Sequence, residues 1–103
     1  MKVGYQGLPG AYSEEALAAF LPEARAVPLR TLPDVFADLQ AGEVDRAFVP
    51  VENSHAGSVA ESWDLMLDYP VTVLAEWVHP VRHHLLGLPE ASLNDIQRVY
   101  SHP

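Results

Sequence analysis

The 103-residue sequence contains no cysteine, which excludes disulfides, thiol nucleophiles and thiolate metal ligands together. Basic residues are nearly as scarce. Six Lys and Arg stand against fourteen Asp and Glu, a formal net charge of −8. No basic run exists, so nucleic acid is not an expected partner. An anionic ligand would have to be held by local donors, because the overall field of the chain opposes it. No apolar stretch is long enough to span a bilayer. The amino terminus has one Lys followed by a glycine-containing turn in place of the apolar core of a signal peptide, so no membrane partner and a cytoplasmic location are expected. Internal repeats, low-complexity segments and the dinucleotide fingerprint Gly-x-Gly-x-x-Gly are missing as well.

What is present is globular. Hydrophobic residues make up 49% and charged ones 19%. A chain of this length forms at most one ordinary domain and buries roughly 60–70% of its unfolded surface. Residues 2–6 predict a first strand, turned by Gly7 and Gly10. A helix over 12–20 follows, with Tyr12, Ala16, Ala19 and Phe20 on one face and Glu14 and Glu15 in its first turn, where the helix dipole favours acids. Pro22 ends it. Residues 26–30 predict a second strand, and Thr31, Pro33 and Asp34 open a second helix that stops at Gly42. Residues 47–51 predict a third strand. Ser58 and Glu61 have capping-box spacing and predict a third helix burying Val59, Trp63, Met66 and Leu67. Strands are expected over 71–78, 81–88 and 98–101, with a short helix over 92–96. The alternation of strand and helix implies an α/β fold, a parallel sheet flanked by helices with the first strand central.

The stretch that organises the chain is Arg-Ala-Phe-Val-Pro-Val-Glu-Asn-Ser-His-Ala-Gly-Ser-Val, residues 46–59. Polar residues between the carboxyl end of a strand and a helix N-terminus lie where open α/β sheets bind ligands. Asn53 both donates and accepts, and Ser54 and Ser58 add hydroxyls beside the free N–H groups of a first helical turn. The pattern fits a cradle for a carboxylate or phosphate; it also fits a plain turn, since Asn and Ser serve as caps in many loops. Gly7, Gly10 and Ser13 permit close backbone approach near the first strand but also suit an ordinary strand-to-helix turn. His79 and His83 share a face of an extended segment, with His84 beside them. No cysteine and no suitably spaced carboxylate completes a metal set, so no metal is expected. Trp63 and Trp77 are expected in the core.

Pro-Val-Glu-Asn-Ser-x-x-Gly-Ser-Val, residues 50–59, resembles the signature of the prephenate dehydratase family. Collinear support comes from Gly-Tyr-Gln-Gly-x-x-Gly-Ala-Tyr-Ser-x-x-Ala at 4–16, Asp64 with Leu65, Glu76, His83-x-Leu85-Leu86, and Tyr-Ser-His-Pro at the carboxyl end. The resemblance implies a two-lobed catalytic region like that of periplasmic binding proteins, with the first lobe over 1–77 and part of a second over 78–103. It implies conversion of prephenate to phenylpyruvate, carbon dioxide and water in phenylalanine biosynthesis, with no cofactor. Asn53, Ser54, Ser101 and His102 are the implied substrate-binding residues, and Gly7, Gly10, Ser13 and Ser58 the implied lining of the cleft. The family's general acid lies in a Thr-Arg-Phe motif that this sequence does not contain, so the chain is expected to be truncated, inactive alone and self-associating as a homo-oligomer. Arogenate dehydratase and a non-catalytic solute-binding module are the alternatives.

Overall fold

The computed structural model describes residues 1–101. Its centre is strand β1 (Lys2–Gln6), which pairs in parallel on one side with β2 (Arg25–Leu29) and on the other with β3 (Arg46–Phe48). The order β2-β1-β3 is the expected one, with the first strand central. Helix α1 (Tyr12–Phe20) joins β1 to β2, and α2 (Leu32–Ala41) joins β2 to β3. The two crossovers run in opposite directions across the sheet. A common right-handed sense therefore sends the helices to opposite faces. The packing agrees: Val3 and Tyr5 form a cluster with Leu17 of α1, whereas Gly4 backs onto Leu29 and Val44. The second face is closed by Leu32, Val35 and Phe36 of α2, all buried.

Local chemistry sets the helix ends. The Thr31 hydroxyl accepts the Asp34 N–H at 3.2 Å, and Pro33 stands in the first turn where no intrahelical donor is needed. Gly42 closes α2 in the left-handed conformation, φ 76°. Helix α1 has no side-chain cap bond at Ala11. Its buried residues are Ala16 and Leu17, so the inward face is turned from the one expected: Ala19 and Tyr12 are exposed, and Phe20 is half-buried.

The third unit departs further from expectation. Strand β3 stops at Phe48, short of Val51, because Pro50 has no N–H for the ladder and β1 has already turned away. Glu52 and Asn53 do not merely end a strand. They form β4 (Glu52–Asn53), an arm of an antiparallel hairpin with β5 (Gly57–Ser58). Ser58 is committed to that ladder opposite Glu52, so the anticipated capping box with Glu61 does not form. Helix α3 (Ala60–Asp68) starts after Val59 with no side-chain cap bond. It buries Ser62, while Trp63 and Leu67 are exposed. The helix packs against α2, and Tyr69 just past its end lies 5.6 Å from Phe36, but Trp63 and Leu67 of the expected stripe face outward.

Beyond α3 the described chain is extended but unpaired, so the strands expected over 71–78, 81–88 and 98–101 are absent among the described residues. A strand is defined by a ladder, and these segments have no neighbour to pair with. The predicted short helix survives as a 3-10 turn, Leu93–Asp95, with a Ser92–Asp95 capping box. Part of the extended segment lies along α1: Trp77 stacks on Phe20 with centroids 5.2 Å apart, and the Tyr12 hydroxyl donates to the Arg82 carbonyl at 2.8 Å. Trp77 and Trp63 are thus half-exposed covers, not core residues.

These differences separate two leucines. Leu17→Ala should cost about 2–5 kcal/mol by emptying a filled core site, whereas Leu67→Ala should stay within about 0.5 kcal/mol, as surface changes do. Urea denaturation of the two variants measures both; equal losses would mean that Leu67 is packed inward.

Candidate functional site

Parallel pairing sends the carboxyl ends of β1 and β3 to the same sheet edge as neighbours, with Tyr5 opposite Phe48. The chain leaves β1 toward β2 on one side and arrives at β3 from the other. The crevice between β1 and β3 is the topological switch point, where open α/β sheets hold ligands. Two loops leave from it, 7–10 and the hairpin of β4 and β5.

The first loop is tied at both ends. The Gly7 N–H donates to the Leu29 carbonyl at 2.9 Å, and the Ala11 N–H to that of Leu8 at 3.0 Å. Gly7 and Gly10 have φ of 133° and 93°, a region L side chains rarely adopt. Glu14 completes the arrangement. One carboxylate oxygen accepts the Gly10 N–H at 3.0 Å and the other accepts the Tyr5 hydroxyl at 2.7 Å. These two donors hold the Glu14 carboxyl below its ordinary pKa, the tyrosine hydrogen bond first. Burial, and then the adjacent carboxylate, push the Tyr5 phenol up to about 12. Glu14 was expected only to complement the helix dipole. The signal that would have found its larger role was a tyrosine inside a buried strand, whose hydroxyl needs a partner.

The second loop is shaped by Asn53. Its Oδ1 accepts the N–H groups of His55 at 2.8 Å and Ala56 at 3.1 Å, an Asx turn that rounds the hairpin. Two backbone donors fix the amide's orientation, so the Nδ2 hydrogens are the part of Asn53 left for another partner. The hairpin base is anchored by the Val51 carbonyl, which accepts both the Val59 N–H at 2.9 Å and the Trp63 indole N–H at 3.1 Å. Trp63 therefore braces the loop instead of filling the core, a use that its spacing in α3 does not reveal.

Asn53 and Ser54 lie in the hairpin that follows β3, Gly7 and Gly10 in the loop that follows β1, and Ser13 in the first turn of α1. Ser58 is exposed in β5. Ser101 is exposed with no hydrogen bond to either loop, and His102 lies outside the described residues. His79 does not approach His83 as a ligand pair would: its Nε2 is 3.1 Å from the Glu15 carboxylate, and His83 meets the Tyr12 ring edge-on at 6.1 Å. Among the described residues no group of three or more His, Asp or Glu could hold a metal ion, and no helix is long and apolar enough to cross a membrane.

An open parallel sheet with helices on both faces defines an α/β fold. Comparison with known proteins places it more narrowly. The family model described as prephenate dehydratase matches residues 3–103, and the chain belongs to that family. It is 41% identical over 103 residues to arogenate dehydratase 5 of Arabidopsis thaliana, covering all of this chain and 24% of that protein. It is 38% identical to the arogenate dehydratase/prephenate dehydratase 1 of the same plant, again over its full length and 26% of the relative. The chain thus spans about a quarter of the curated relatives it matches. Among solved structures, prephenate dehydratase from Streptococcus mutans superposes with a TM-score of 0.63 at 32% identity, covering 66% of this chain and 36% of that one.

The Tyr5–Glu14 bond makes stability depend on pH in two directions. Glu14 has a depressed folded pKa, so its contribution is present above the ordinary carboxylate range and is lost as pH falls through the folded value. Tyr5 has a raised one, so its contribution is complete below the unfolded value of 10.0 and is lost as pH rises toward about 12. The stability difference between wild type and Tyr5→Phe should be level from about pH 5 to 9.5 and narrow at both extremes. Denaturant titrations across pH measure it; a difference independent of pH would mean that the bond does not form.

Proposed function

We propose that this chain supplies part of the substrate cleft of a dehydratase that converts prephenate to phenylpyruvate in phenylalanine biosynthesis. The observation that carries the reading is the Asn53 turn: its oxygen is spent on the His55 and Ala56 amides, which leaves an N–H₂ donor in the hairpin that follows β3. The substrate presents two carboxylates and a hydroxyl. Loss of one carboxylate as carbon dioxide pushes its electron pair into the ring while the hydroxyl leaves as water, consuming one proton. Aromatisation drives the step. The protein's task is to hold the carboxylates, keep the breaking bonds aligned and protonate the departing oxygen. Asn53 and Ser54, with Ser101 and His102, are the residues proposed to bind substrate; Gly7, Gly10, Ser13 and Ser58 line the approach.

In the same proposal residues 1–77 form one lobe of a two-lobed region and 78–103 the beginning of the other, with the proton supplied by a residue outside this segment. No cofactor is required, because no electrons leave the substrate and no group is carried. The cytoplasm is the proposed location. Arogenate, the amino analogue, is a second reading, favoured by the names of the relatives above. Self-association belongs to the proposal as well. Val78, Leu86 and Leu88 are largely exposed, and each large apolar side chain left in water forgoes about 1.5–3 kcal/mol of burial. Sedimentation of the 103-residue chain should show concentration-dependent association and a prephenate assay no turnover; a monomer at high concentration refutes the first, and catalysis the second.

Two substitutions at Asn53 test the binding role in the full gene product. Asn53→Asp keeps the acceptor for the turn, removes the donor and adds a charge that repels carboxylates. Asn53→Ala removes both functions. Each should lower turnover of prephenate about 10²–10³-fold, with the fold kept in Asn53→Asp. Turnover within a few-fold of wild type in Asn53→Asp would leave Asn53 a turn residue only.

A further inference from the structure

The first loop has an unusual need for restraint. Glycine at both ends gives it more backbone freedom than any other residue pair would, yet both adopt left-handed conformations, φ 133° at Gly7 and 93° at Gly10. At the Gly7 end the restraint is the sheet itself, through the bond to Leu29, and the helix start is close: a Cβ on Gly7 would lie 3.0 Å from that of Ala11. At the Gly10 end the backbone N–H has a single acceptor, a Glu14 oxygen at 3.0 Å. The other oxygen of that carboxylate accepts the hydroxyl of Tyr5, which is fully buried in the central strand, at 2.7 Å. One ionised side chain thereby connects the loop to a fully buried residue of the central strand. Among the described residues the bonds leave one backbone donor in the loop without a protein acceptor, the Leu8 N–H, since Pro9 has none and Gly7, Gly10 and Ala11 are paired.

We infer that Glu14 is a positioning residue of the ligand cleft: its carboxylate clamps the 7–10 loop against Tyr5 and holds the free Leu8 amide at the sheet edge, beside the Asn53 hairpin. The inference rests on the reading of that edge as the substrate site. Glu14 does not touch substrate in this account, and it is not the proton donor. Its negative charge is spent on two internal donors, which also reduces its repulsion of a carboxylate ligand.

The test uses the chain itself, with amide hydrogen exchange followed by NMR and prephenate as the added probe. Glu14→Gln keeps the volume but offers one acceptor oxygen in place of two. Exchange of the Gly10 amide should accelerate at least about tenfold, the scale of one lost charge-assisted hydrogen bond, while the Val3 and Leu17 amides keep their protection. Prephenate affinity should fall by about tenfold in step. Tyr5→Phe, which leaves the carboxylate and the core intact, should show a smaller change at the same amide. Unchanged Gly10 protection in Glu14→Gln, or unchanged affinity alongside a loosened loop, overturns the inference. Should Val3 and Leu17 lose protection too, Tyr5→Phe decides: faster exchange confined to Gly10 supports the clamp, and none refutes it. Should wild type bind no prephenate, the reading of the edge as a substrate site fails for this chain, and Gly10 exchange still decides whether Glu14 holds the loop.

Discussion

Everything in this structure follows from β1 being hydrogen-bonded on both sides. A strand paired in parallel with β2 and β3 requires two crossovers in opposite directions, and handedness then assigns α1 and α2 to opposite faces. That assignment buries Val3, Tyr5 and Leu17 on one side and Val35 and Phe36 on the other. It also brings the loops after β1 and β3 together at one edge. The chemistry is therefore a product of topology before it is a product of any side chain: Asn53 is 47 residues beyond Gln6 in sequence, yet the two strands that carry the loops are neighbours.

The parts legible in the sequence were those dictated by short-range physics. Thr31, Pro33 and Gly42 mark the ends of α2 because each acts within one turn of its own position. The three parallel strands were legible because β-branched and aromatic runs alternate with helical periodicity. What was not legible depends on partners. Ser58 and Glu61 have the spacing of a capping box, but a ladder partner, Glu52, claimed Ser58 first. Trp63 and Leu67 keep helical spacing yet stay exposed, and Trp63 bonds to the Val51 carbonyl instead. Segments 71–78 and 81–88 have strand composition, yet a strand exists only beside another. Asn53 and Ser54 are candidates because of their place after a strand. Glu14 was missed because its role depends on a hydroxyl nine residues earlier, in the middle of a buried strand.

The extended carboxyl-terminal part explains the dimensions of the molecule. Its radius of gyration is 15.9 Å, against about 13 Å for a compact chain of this size. Phe20, Glu15 and Tyr12, spaced along one side of α1, receive Trp77, His79 and Arg82 in that order, so the segment runs antiparallel to the helix. The contacts are aromatic and polar, and they leave most of the segment's aliphatic side chains in water.

The central claim is that the edge between β1 and β3 receives a dicarboxylate substrate through the 7–10 loop and the Asn53 hairpin. A map of backbone amide chemical-shift changes on addition of prephenate tests it most directly. The account predicts saturable changes concentrated at residues 7–10 and 52–58, with the Leu8 amide and the Asn53 side-chain N–H₂ among the most displaced. Saturable changes centred elsewhere, on the outer face of α2 for example, with these loops unmoved, would contradict it.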